Sequence, residues 1–120
     1  MDITAAFIGG GNMGGALISG LIARGLPAQK ISVGEAHQAR RIQLADELGV
    51  HVTADNREAV LGADVVVLAV KPQDMAGTVQ PLADVFAQRP PLVLSIAAGI
   101  RGADIAGWCG NGVDVVRAMP

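Results

Sequence analysis

Short apolar runs alternate along the chain with segments whose apolar side chains recur every three or four residues. The runs predict strands and the periodic segments predict helices. The predicted strands are 3–8, 31–33, 50–53, 65–70, PLVLSIAAGI and VDVVRAMP, and the predicted helices are 12–25, 39–48, 55–61, 73–88 and 103–108. This order predicts right-handed crossovers and an α/β fold, a doubly wound parallel sheet of about six strands with flanking helices.

The run 65–70 is apolar at every position and shows no alternation. A strand of this kind is covered on both faces, so we expect it at the centre of the sheet.

The helix that follows the second strand is predicted to have one apolar stripe and to end at Gly49. The stripe consists of Ala39, Ile42, Ala45 and Leu48. Asp55 is placed to cap the next helix.

The composition fits one such layered domain. Hydrophobic residues make up 51% of the 120 residues, aromatic residues only 2%, and Tyr is absent. The core must therefore consist of Val, Ile, Leu and Ala, which suits a buried parallel sheet.

Several classes of site and partner are disfavoured. No apolar run approaches the roughly 18 residues of a membrane helix, and Asp2 stands where a signal peptide is basic, so we expect a cytoplasmic protein. A single cysteine, Cys109, and two separated histidines predict neither a disulfide nor a metal site. The net charge of -2, with no basic cluster larger than Arg40-Arg41, predicts a small-molecule partner rather than a nucleic acid.

The segment FIGGGNMGGALISG carries the most specific chemistry. Gly9, Gly11 and Gly14 match GxGxxG between the first predicted strand and the first predicted helix. The first glycine allows a tight turn, the second lets a pyrophosphate approach the backbone, and the third lets the helix pack on the strand. A glycine-rich turn without a ligand is the alternative, but the placement in a βαβ unit favours a Rossmann-type dinucleotide site.

Five segments together resemble the N-terminal half of the Δ1-pyrroline-5-carboxylate reductases: FIGGGNMGGALISGL, TADNREAV, ADVVVLAVKPQ, SIAAGI and VVRAMP. The resemblance runs through all 120 residues. It implies reduction of a cyclic imine to L-proline with NAD(P)H. It also implies that residues 1–120 are the NAD(P)-binding domain, and that a helical domain absent from this sequence dimerises and completes the substrate site. We therefore expect an N-terminal fragment that is inactive alone.

The resemblance also implies a set of cofactor contacts. These are Gly9, Gly10, Gly11, Asn12, Met13 and Gly14 for the pyrophosphate, Gly34 and Glu35 for the ribose, then Asn56, then Ala69, Val70, Lys71 and Pro72, and finally Ile96, Ala97 and Ala98. The last two groups lie at the carboxyl ends of the fourth and fifth predicted strands, on the side of the sheet where ligands of such folds bind. Two alternatives stay open. Asn56 could be an ordinary polar residue in the first turn of a helix, and Lys71 could be an ordinary solvated lysine at the end of a strand. We assign no catalytic residue, and Trp108 and Cys109 are expected to pack.

Two features point to different cofactors. Glu35 lies about twenty residues beyond Gly14, where an acidic side chain binds the ribose of NAD and repels the 2′-phosphate of NADP. The similar reductases commonly use NADPH, and Arg40 and Arg41 lie near a phosphate on that ribose, unless they are simply solvated. We expect NADPH, with NADH accepted and Glu35 turned to solvent, and Glu35→Ser should then raise the affinity for NADPH.

Two other functions keep the same glycine loop. One is another NAD(P)-dependent reductase, of the β-hydroxyacid dehydrogenase-like group, which is not expected to carry the later motifs together. The other is a stand-alone dinucleotide-sensing module, which suits the short chain.

Overall fold

A computed structural model describes residues 2–118, so Met119 and Pro120 of the last predicted strand lie outside the described residues. Six strands form one sheet in which every pairing is parallel, in the order β3-β2-β1-β4-β5-β6. They are β1 (Ala5–Ile8), β2 (Ile31–Gly34), β3 (His51–Thr53), β4 (Val65–Leu68), β5 (Leu92–Ser95) and β6 (Asp114–Arg117). The predicted doubly wound sheet is confirmed, and its order reverses between β1 and β4.

Six α-helices connect these strands in the described part of the chain. They are α1 (Asn12–Ala23), α2 (Gln38–Leu48), α3 (Asn56–Val60), α4 (Met75–Val79), α5 (Ala83–Gln88) and α6 (Gly102–Cys109). The predicted boundaries of two are confirmed: Gly49 ends α2 with φ +72°, and Asp55 caps α3 by accepting the Arg57 backbone N–H.

The prediction of a single helix over 73–88 is wrong. The chain forms a 3₁₀ turn (Pro72–Asp74), then α4, a second 3₁₀ turn (Gln80–Leu82) and α5. Pro81 lies in the second turn. It lacks the N–H that an α-helix interior needs, and its ring collides with the carbonyl four residues earlier, so the helix is interrupted there.

Each face of the sheet has its own apolar core. Helices α3 to α6 pack on one face, and the core there includes Leu68 of β4 and Phe86 of α5. Helices α1 and α2 pack on the other face, and the core there includes Phe7 of β1, Ile18 and Leu44.

The prediction of which α2 residues form the apolar stripe is wrong for the middle of the helix. Leu44 is buried, whereas Ile42 is 54% exposed. Since Ala39 is also exposed, the helix is rotated so that Leu44, rather than Ile42, faces the sheet.

The face that carries α1 and α2 is open toward β5 and β6. Leu92 and Val116 are 42% and 49% exposed. Between α1 and the strands lies an apolar groove of about 290 Å³, whose lining includes Leu17, Leu21 and Leu94. This surface is called the open face below. None of the helices within residues 2–118 is long and apolar enough to span a bilayer.

Candidate dinucleotide-binding site

The carboxyl ends of β1, β2 and β4 meet at one edge of the sheet and border a cleft of about 490 Å³. Six of the predicted site residues line it: Gly9, Gly34, Glu35, Asn56, Val70 and Lys71. The cleft therefore lies where the strand order reverses, which is the usual ligand position in open α/β sheets.

Two glycines of the loop are required by close backbone packing. Gly9 has φ +93°, and a Cβ there would lie 2.6 Å from the Ala69 carbonyl oxygen. A Cβ on Gly14 would lie 2.8 Å from the Gly9 carbonyl oxygen. The turn thus approaches the segment after β4, and the start of α1 approaches the turn, more closely than any larger residue permits.

Gly11 differs from both, because a Cβ there meets nothing within 4 Å. It is the N-cap residue of α1, with no side chain to cap the helix, and the first turn contains no acidic residue. The first amides of an α-helix have no intrahelical acceptor and carry a partial positive charge. This end of α1 can therefore receive an anion such as a pyrophosphate.

Asn56 and Gly34 form one contact at the end of β2. A Cβ on Gly34 would lie 2.2 Å from Asn56 Oδ1, so only glycine admits the amide at this position. Asn56 is the first residue of α3, and it also lines the cleft.

Glu35 is not turned to solvent, and that expectation is wrong. It is 9% exposed, and its Oε1 accepts the Gly10 N–H at 2.9 Å. Its Oε2 accepts the His37 N–H at 2.8 Å and lies 2.9 Å from His37 Nδ1. Burial opposes ionisation of the carboxyl, but the hydrogen bonds from the His37 and Gly10 amides outweigh it and hold the pKa of Glu35 below its ordinary value.

Arg40 and Arg41 are half-buried rather than a solvated pair. Arg40 donates to the Gly10 carbonyl and, at 3.2 Å, to the Gly11 carbonyl. Arg41 donates to the carbonyls of Glu35 and Ala36 at 2.7 and 2.9 Å. The Arg40 guanidinium thus holds the backbone of the glycine loop, and the Arg41 guanidinium holds the backbone of the segment after β2.

The remaining predicted residues lie beside the cleft or away from it. Gly10, Gly11, Asn12, Met13, Gly14, Ala69 and Pro72 belong to the glycine loop, the start of α1 and the segment after β4. Ile96, Ala97 and Ala98 follow β5 at the same sheet edge, but they do not line this cleft.

Six residues of the cleft wall were not predicted: Ile8, Ala36, Gln73, Asp74, Gly77 and Thr78. The last four follow β4, so the rule that ligands bind at the carboxyl ends of strands was a signal for them. The interrupted helix brings them to the cleft.

Trp108 and Cys109 pack at the end of α6, as predicted. Trp108 contacts the core cluster and Cys109 is buried. Burial raises the pKa of the Cys109 thiol to about 11, so the thiol is protonated at neutral pH.

Comparison with known families places this site in context. The model of the family described as NADP oxidoreductase, coenzyme F420-dependent, matches residues 4–99. The chain belongs to this family.

The resemblance of this chain to pyrroline-5-carboxylate reductases is confirmed. It is 46% identical to the pyrroline-5-carboxylate reductases of Vibrio alginolyticus and Pseudomonas aeruginosa, with 96% of this chain and 42% of each relative covered. It superposes over its whole length, with 39% identity and a TM-score of 0.95, on the structure of a pyrroline-5-carboxylate reductase from Coxiella burnetii, of which it covers 44%. The chain thus spans less than half the length of the relatives it matches.

Proposed function

We propose that this chain is the dinucleotide-binding part of an enzyme that reduces Δ1-pyrroline-5-carboxylate to L-proline with NAD(P)H. The observation that carries the proposal is the match to the Coxiella burnetii reductase, at a TM-score of 0.95 over all of this chain. The glycine loop, the uncapped start of α1 and the cleft beside them support the proposal.

In this reaction the reduced nicotinamide ring supplies hydride to the imine carbon. The chain's part is to bind and orient. The start of α1 receives the pyrophosphate, and the cleft beside Gly34 and Asn56 receives the adenosine end. Catalysis then comes from holding the two reacting rings in contact, and we assign no proton donor within residues 2–118.

We further propose that the substrate site and the contacts between subunits need a second, helical domain. The relatives' additional length supports this, since 42% of each is covered. The open face supports it as well: Leu92 and Val116 lie exposed beside an apolar groove, where a further layer would bury them. We place the reaction in the cytoplasm, as expected from the sequence.

For the cofactor we propose NADPH in preference to NADH. The family description names NADP. Glu35 is compatible with this choice, because its carboxylate is turned toward Gly10 and His37 rather than standing free to repel a 2′-phosphate. Titration of the chain with both reduced cofactors should show tighter binding of NADPH. A tenfold preference for NADH, about 1.4 kcal/mol, would show that the simple acidic-residue rule was right.

Fusion of this chain to the rest of the Pseudomonas aeruginosa relative tests the reaction. We expect the fusion to form proline from pyrroline-5-carboxylate, and the 120-residue chain alone to form none above background, because it holds the cofactor but not the substrate. Proline is measured directly, alongside oxidation of NADPH.

The relative itself is the positive control, and the fusion carrying Gly11→Leu is the matched negative control. A fusion that unfolds cooperatively and binds NADPH, yet reduces no pyrroline-5-carboxylate, would contradict the proposed function.

A further inference from the structure

The backbone of Gly10 is held on both sides by side chains from the segment after β2. Its N–H donates to Glu35 Oε1 at 2.9 Å, and its carbonyl accepts from Arg40 Nε. Gly10 is buried and has no side chain. These two bonds therefore fix the peptide planes before and after its Cα.

Arg40 also donates from Nη2 to the Gly11 carbonyl at 3.2 Å. In a planar trans peptide the carbonyl and the following N–H point in opposite directions. Because the carbonyls of Gly10 and Gly11 face the Arg40 guanidinium, the N–H groups of Gly11 and Asn12 face away from it. The guanidinium also offsets the negative charge of two carbonyl oxygens near the place where a pyrophosphate would bind.

Both side chains are themselves held in place. Arg40 Nη1 donates to Gln43 Oε1 at 2.7 Å. Glu35 accepts from the His37 amide at 2.8 Å, and Arg41 donates to the Glu35 carbonyl at 2.7 Å. The loop is thus tied to the start of α2 before any ligand arrives.

We propose that Glu35 and Arg40 are positioning residues that orient the amides of the glycine loop toward the pyrophosphate, and that Glu35 does not select the ribose. This inference rests on the proposed function, because it takes the ligand of the glycine loop to be a dinucleotide. The sequence led us to expect that removing the Glu35 carboxylate strengthens NADPH binding. The inference predicts the reverse, because the carboxylate helps to bind both NADPH and NADH.

Binding of three ligands to the chain tests this. They are NADPH, NADH and adenosine 2′-phosphate, which has the 2′-phosphate but no pyrophosphate. Arg40→Gln should weaken NADPH and NADH by the same factor, about tenfold, because both depend on the loop amides. It should leave adenosine 2′-phosphate, followed by NMR, within about twofold of the wild type.

Glu35→Ser is the second, independent variant, and it should weaken both dinucleotides as well. Arg24→Gln is the matched control: it removes the same charge at the C-terminal end of α1, about 18 Å along the helix from the loop, and should change none of the affinities.

Other outcomes overturn the inference. If Arg40→Gln weakens NADPH and adenosine 2′-phosphate but not NADH, Arg40 binds the 2′-phosphate directly. If Glu35→Ser raises the affinity for NADPH alone, Glu35 selects the ribose after all. If a folded variant binds every ligand like the wild type, or loses all three equally, Glu35 and Arg40 do not act on the pyrophosphate through the loop amides. Failure of the wild-type chain to bind either dinucleotide would instead refute the proposed function.

Discussion

Gly11→Leu is expected to keep the fold and to weaken binding of NADPH and NADH by at least about a hundredfold, or roughly 2.7 kcal/mol. Gly11 has φ -67°, which any residue adopts, and a Cβ there meets nothing within 4 Å. The leucine side chain therefore costs the free protein little and occupies the space that a pyrophosphate needs at the start of α1. Calorimetric titration of the variant measures the loss.

Gly107→Leu is the matched control, since Gly107 also lies open on a helix, α6, on the other face of the sheet. It should bind both cofactors like the wild type. Unchanged affinity in a folded Gly11→Leu variant would show that the loop does not receive the pyrophosphate.

Gly9→Val is expected to lower the free energy of unfolding by about 3 to 5 kcal/mol, a large part of the stability of an ordinary domain. Two costs combine here. Valine is strained at φ +93°, and its Cβ would lie 2.6 Å from the Ala69 carbonyl oxygen. Urea unfolding, followed by circular dichroism, measures the difference.

Gly62→Val separates the two costs. Gly62 has φ +73°, but a Cβ there meets nothing within 4 Å, so this variant carries the backbone strain without the collision. We expect it to lose only about 1 to 2 kcal/mol. If Gly9→Val is no less stable than Gly62→Val, the end of β4 does not pack as tightly against the glycine loop as described.

The six strands and their parallel, doubly wound arrangement could be predicted from the sequence because the signals for the strands are local. Each apolar run ends at a glycine, a proline or a polar segment, and the run 65–70 shows directly that both of its faces are covered. The interruption at Pro81 was also a local signal, but apolar periodicity on both sides concealed it. Periodicity likewise cannot fix the rotation of a helix such as α2, where Leu44 rather than Ile42 meets the sheet.

The position of Glu35 could be predicted, but the direction of its carboxylate could not. From the sequence alone, a carboxylate after β2 could point toward a ribose in the cleft or toward the amide of Gly10, and nothing in the sequence distinguishes the two directions. Only the folded loop shows the Gly10 N–H 2.9 Å away and two further hydrogen-bond partners on His37. The same holds for Arg40, whose two backbone acceptors lie 29 and 30 residues earlier in the chain.

The most direct test of the central claim, that the glycine loop and the cleft bind a nicotinamide dinucleotide, is an NMR titration of the labelled wild-type chain with NADPH. The largest amide shifts should fall on Gly11, Asn12 and Met13 and around the cleft at Gly34 and Asn56. Thr4, Gly62 and Arg89, which are linked by hydrogen bonds at the opposite edge of the sheet, should not shift. Saturable binding with shifts confined to that opposite edge or to the open face, or no binding at millimolar NADPH, would contradict the account.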